Sequence, residues 1–156
     1  MKNTFNLKIT CILLLLVSYG INAQIKHEVV LNVDTAKITL ANMEETCNFG
    51  QASNVSNEDY TIKVAVGDII IWSGVSSSDP SVDKVEITKI LYSSGTNVLD
   101  ERSIRDSNGV VTAEVKVGEV GDYEKYDIEF KVYRNGRVVR ETFPIDPKLR
   151  IIARTR

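Results

Sequence analysis

The chain has 156 residues, 43% hydrophobic and 26% charged, with a formal net charge of −2. That balance belongs to a globular protein and excludes a disordered one. Its single histidine and two cysteines are too few nitrogen and sulfur donors for a zinc or copper set.

The first stretch reads as an export signal. Lys2 and Lys8 form a basic region, Ile12 to Val17 an apolar core too short to span a bilayer, and Ile21-Asn22-Ala23 a small-residue site, which predicts cleavage between Ala23 and Gln24. Cys11 precedes most of the apolar core, so it is read as filler rather than a lipid anchor. Residues 24–156 then form one secreted or periplasmic domain without a transmembrane segment. Cys47 is its only cysteine, a free thiol with no internal partner.

In the mature chain, Ile25, His27, Val29, Leu31 and Val33 share one parity and predict a first strand; Ala36, Ile38 and Leu40 predict a second. From Asn42 to Asp59 the alternation is lost amid loop chemistry, apart from one helical turn at Met43 to Thr46. A loop that long is the first place to seek a binding role, and removal of residues 46 to 57 is expected to leave the fold cooperative. Ile62, Val64 and Val66 alternate, Gly67-Asp68 turns the chain, and Ile69 to Trp72 is unbroken apolar sequence. The reading is a central strand pair with Trp72 as core anchor.

Ser73 to Pro80 is a turn cluster, and Lys84 to Tyr92 a strand with a bulge near Lys89. Ser93 to Asn97 breaks that strand, and Asp100 to Gly109 is polar. Val111 to Val117 and Tyr126 to Val132 alternate again. Arg134-Asn135-Gly136-Arg137 predicts a type I′ hairpin, because Asn-Gly accepts two positive-φ positions. That register would set Val132 against Val139, Ile128 against Phe143 and Phe130 against Glu141, a carboxylate that an exposed edge would tolerate. Leu149 to Ala153 closes the chain. The sum is an all-β fold of about nine strands, a two-sheet antiparallel sandwich, immunoglobulin-like or cupredoxin-like.

No catalytic set emerges. A hydrolase plan would rest on His27, which shares the parity of Val29 and Leu31 and reads as a packed or rim residue. Asp79 with Asp83, or Asp100 with Asp106 and Asn108, offers oxygen ligands without the spacing of a calcium loop. Gly118-Glu119-Val120-Gly121 lacks the lysine and helix of a phosphate loop. Asn54-Val55-Ser56 matches the N-glycan acceptor pattern. Acidic residues predominate from Gln24 to Tyr133 and basic ones from Arg134 onward, without the interleaved aromatics that stack nucleic-acid bases.

Val64 to Trp72, read as Val-x-Val-Gly-Asp-x-Ile-x-Trp, resembles the Gly-Asp strand pair of cupredoxin-like sandwiches. In that family a copper histidine follows, with Cys, His and Met in a late loop. Here Ser73-Gly74 follows Trp72 and the late hairpin closes with Asn135-Gly136, so copper does not carry over. Gly67-Asp68 through Ser77-Ser78-Asp79-Pro80 also resembles the start of PKD-type immunoglobulin-like modules, without their later Trp and Gly-Asp-Gly signature. Both resemblances imply a sandwich and neither an activity.

The expectation is a non-enzymatic exported module, with no cofactor or metal, that binds a protein or glycan and not nucleic acid. Arg137, Arg140 and Arg150 are its candidate contacts. The alternative is a small ligand held between the sheets against Trp72, Tyr126 and Phe130.

Overall fold

The computed structural model describes residues 24–105 and 108–154, apart from the side chain of Glu141. Met1 to Ala23, with the expected export signal and Cys11, lies outside them. Among the described residues the elements are β1 (Lys26–Val33), α1 (Met43–Thr46), β2 (Cys47–Asn48), β3 (Thr61–Val64), β4 (Ile69–Ser76), β5 (Lys84–Gly95), β6 (Ser103–Arg105), β7 (Val111–Glu114), β8 (Tyr123–Arg134), β9 (Arg137–Ile145) and β10 (Lys148–Ile151). They make an all-β sandwich. One sheet runs β2-β1-β4-β7; the other runs β3-β10-β8-β5-β6, with β9 also on β8.

The predicted central pair is real as two strands but not as a pair. β3 lies in the six-stranded sheet and β4 in the four-stranded one, so Gly67-Asp68 arches between layers. Its backbone groups were claimed elsewhere: the Val64 carbonyl accepts from Ile152 N at 2.8 Å, and Ile69 N donates to Ile25 O at 2.9 Å. β4 instead runs parallel to β1 over eight pairs, Lys26↔Ile69 to Val33↔Ser76, and β10 runs parallel to β3. The sheets are therefore mixed rather than wholly antiparallel, as the long connection from β1 to β4 permits.

The apolar run on β4 follows from its position. Ile70 and Trp72 point into the core, whereas Ile69 and Ile71 are half-buried on the outer face. Trp72 meets Tyr126 of the opposite sheet edge-on, rings 5.6 Å apart, and its Nε1 donates to the Tyr126 hydroxyl at 3.1 Å. Such geometry adds roughly 0.5–1.5 kcal/mol to the burial of two large rings. Phe130 and Phe143 stack at 5.4 Å in the same core.

The predicted strand Ala36 to Leu40 is absent. Lys37 N and Ile38 N both donate to Asp34 O, at 3.1 and 3.0 Å, closing a turn that buries Ile38 and leaves Ala36 and Leu40 exposed. Short strands β2 and β6 account for the rest of the difference in strand count. The Ser-rich turn is a polar knot. The buried Thr35 hydroxyl donates to Asp83 at 2.6 Å; its one proton thus spent, it accepts from Ser76 at 2.7 Å and Ser78 at 2.8 Å.

In β5 the expected bulge lies between Ile87 and Lys89, and it turns Lys89 outward to meet Glu129 at 2.7 Å. Asn135 and Gly136 take φ of 49° and 75°, and Arg134 pairs Arg137, as the turn chemistry predicts. Two irregularities then shift the register: Val132 faces Arg140, Phe130 faces Phe143 and Ile128 faces Ile145. Two single-residue shifts restore parity, so Phe143 and Ile145 stay inside. Phe130 therefore does not face Glu141, whose side chain is outside the described set.

β9 and β10 are in effect one strand. Ile145 pairs Ile128 and Lys148 pairs Lys125, the same register on both sides of Asp146-Pro147, and Tyr126 N donates to Pro147 O at 3.2 Å between them.

Candidate interaction surface

Parity along this long β8–β10 ladder decides which side chains reach solvent. Tyr126, Ile128 and Leu149 point inward, so Tyr123, Lys125, Lys148 and Arg150 point out. Backbone pairing sets Lys63 beside Arg150 and Arg150 beside Tyr123. The neighbouring row is Thr61, Lys148, Lys125 and Ser94. Apart from Lys63, the two rows line a cleft of about 530 Å³, formed by Tyr123, Lys125, Lys148, Arg150, Thr61 and Asp59, among others.

Lys125 directly opposite Lys148 would repel in isolation. Three loop carboxylates offset this. Glu58 meets Lys125 at 2.6 Å and Asp146 meets it at 2.9 Å, while Asp59 meets Lys148 at 3.0 Å. The hydrogen bond from Lys125 holds Glu58 below the usual carboxylate range, and those from Lys148 and Ser56 do the same for Asp59. Lys125 is correspondingly raised, by Glu58 first and then Asp146. Lys63 and Arg150 form no ion pair among the described residues. Tyr123 beside them is 53% exposed.

The structure does not gather the three predicted arginines. Arg137 sits at the hairpin tip and Arg140 beyond it, both exposed, with Arg140 Nε donating to Thr142 O at 3.1 Å. Arg150 is ten residues further along a nearly continuous strand, roughly 30 Å away at the usual rise. Lys63, Tyr123, Lys125 and Lys148 take the place of the other two. Three of the four lie outside the basic terminal block that begins at Arg134, and the sequence signal for Tyr123 and Lys125 is a parity opposite to that of Tyr126 and Ile128.

The other singled-out residues are absorbed by the fold. Cys47 is buried and pairs with Val33 of β1; burial, foremost, pushes its thiol up to about 12, so it is an unreactive core side chain. The loop around it is integral to the fold. Phe49 stacks on Tyr60 at 4.6 Å, and buried Asn57 donates to Glu44 through its backbone at 2.9 Å and its amide at 3.1 Å. Excising residues 46 to 57 would remove core, contrary to the expectation from sequence. Asn54 of the glycan-acceptor pattern is exposed on this loop.

His27 Nε2 donates to Asp68 at 2.8 Å. Asp83 accepts from Thr35 and from Asn135 N, and Asp79 from Ser81, so these two oxygen-ligand candidates are engaged locally. Asp106 lies outside the described residues. Among the described residues, no three His, Cys, Asp or Glu side chains are placed to hold a metal ion, and no helix is long and apolar enough to cross a membrane. Trp72, Tyr126 and Phe130 are fully buried, and the cleft on the outer face includes none of them.

No family model matches the chain, and no curated protein matches it. Among solved structures it is similar to the inclusion body protein PixA from Burkholderia cenocepacia J2315, at 15% identity and TM-score 0.61, over 85% of this chain and 98% of that one. The N-terminal domain of phage TP901-1 ORF48 aligns at 12% identity and TM-score 0.37, over 83% of this chain and 100% of that one. The PixA likeness concerns the fold; neither protein is described as a cupredoxin or a PKD module.

Proposed function

We propose that the chain is an exported, non-enzymatic β-sandwich module that binds an anionic protein or glycan partner, without nucleic acid, on the outer face of the six-stranded sheet. One observation carries this reading: Lys63 and Arg150, without acidic partners among the described residues, stand in a row with exposed Tyr123. Charges left unneutralised on a rigid sheet attract an opposite charge without the ordering cost of a mobile loop. The cleft chemistry also favours binding over catalysis. Asp59, depressed by Lys148, stays ionised and is no general acid near neutral pH. Export rests on the Lys2 to Ala23 pattern.

The test compares the wild type with a Lys63→Glu/Arg150→Glu double variant on hyaluronan-coated and poly-glutamate-coated surfaces over a salt series. The wild type binds at least one surface in a salt-sensitive way, and the double variant loses that binding with its melting temperature unchanged. Retention by the variant, or a wild type that binds neither, overturns the proposal.

A further inference from the structure

Resting on the surface assigned above, we infer that the partner is a sparsely charged acidic polysaccharide, one sugar ring stacked on Tyr123 and its acidic group held by Arg150 and Lys63. The argument begins with how the tyrosine is seated. Gly95, which pairs with the neighbouring Glu124, lies close against it: a Cβ added there would meet Tyr123 O at 2.3 Å and ring atom Cε2 at 3.1 Å. The bare glycine lets the ring rest against β5, yet Tyr123 remains 53% exposed. An aromatic ring supported from below and open above is a stacking platform with little conformational freedom left to lose.

The charge pattern then selects among anionic partners. Asp59 lines the cleft and is held by Lys148, while Glu58 and Asp146 are held by Lys125 of its wall. A densely charged chain, such as an acidic peptide or a nucleic acid, would lay further negative charges against these carboxylates. A polysaccharide with one acidic group among neutral sugars avoids that. Its anionic group meets Lys63 and Arg150, and its hydroxyls meet Thr61, Ser94 and the carboxylate oxygens, which accept hydrogen bonds. The dimensions agree: adjacent strands lie about 4.8 Å apart, so the row from Lys63 across Arg150 to Tyr123 spans roughly 10 Å, about the length of a disaccharide.

The experiment measures affinity for hyaluronan oligosaccharides, which carry one carboxylate per disaccharide, beside poly-glutamate of similar length and neutral dextran. The wild type prefers hyaluronan to both. Tyr123→Ala weakens hyaluronan binding roughly tenfold, the size of one stacking contact, and Tyr123→Trp retains it. Two results overturn the inference while leaving the anionic surface standing: poly-glutamate preferred over hyaluronan, or Tyr123→Ala binding as the wild type does while Lys63→Glu/Arg150→Glu abolishes binding. A double charge reversal that changes nothing removes the underlying surface as well.

Discussion

Asp68 and Glu124 are both carboxylates withdrawn from solvent, at 2% and 0% exposure, yet the protein provides for them differently. Asp68 Oδ2 accepts from Ala65 N at 2.8 Å and from His27 at 2.8 Å, and Oδ1 accepts from Arg154 at 2.7 Å. Burial, the largest influence, raises its pKa, but the Ala65 amide, His27 and Arg154 together outweigh it, and the carboxyl lies below 3.8. Glu124 Oε2 accepts from Val98 N at 2.6 Å and Leu99 N at 3.2 Å, while Oε1 has no partner among the described residues. There burial prevails over the two amides, and the pKa rises from 4.5 to about 7. Depth alone therefore does not decide whether a carboxylate stays charged; the number of donors and the sign of their charge do.

The contrast is broken most severely by Asp68→Ala. It strands an arginine, a histidine and an amide at once, and is expected to cost about 3–5 kcal/mol in denaturant unfolding. A loss under about 1 kcal/mol would mean that the three donors find other partners. Next in size is Glu124→Gln, read from stability against pH. A group whose folded pKa is raised contributes stability that is complete below its unfolded value, here 4.5, and lost as pH climbs through about 7. The wild type should lose on the order of 2–3 kcal/mol across that window at roughly 1.4 kcal/mol per unit, and Glu124→Gln should flatten the decline. Asp68 works in the opposite sense. Its contribution is present above 3.8 and disappears as pH falls through the lower folded value.

The smallest effect belongs to His27→Ala, expected to cost about 1 kcal/mol because the Ala65 amide and Arg154 still serve Asp68. A double-mutant cycle with Asp68→Asn isolates the pair; a coupling near zero would reduce their 2.8 Å contact to proximity.

Much of the strand content was legible because period-two parity survives in single sequences. β1, β5, β8 and β10 all appear where alternation places them, and Asn135-Gly136 marks its turn outright. Parity carries no record of which strand lies alongside, so Ile62 to Val66 and Ile69 to Trp72 looked like a hairpin although an arch separates them. The same blindness hid the parallel pairings. Ala36 to Leu40 failed because Asp34 supplies a turn acceptor that alternation cannot register, and the β8–β9 register slipped because bulges leave no residue signature. The candidate surface was hardest to read. Lys63 and Arg150 meet only through the pairing of β3 with β10, and no local pattern joins positions so far apart in the chain.

His27 and Arg154 reach the same carboxylate from opposite ends of the domain. The first and last described segments thus meet at one spot, cross-linked there through a single side chain. A short linker from Arg154 back to Gln24 would close the backbone into a ring, and new termini could be opened at an exposed bend such as Asn135-Gly136, a circular permutation that keeps every strand in its layer.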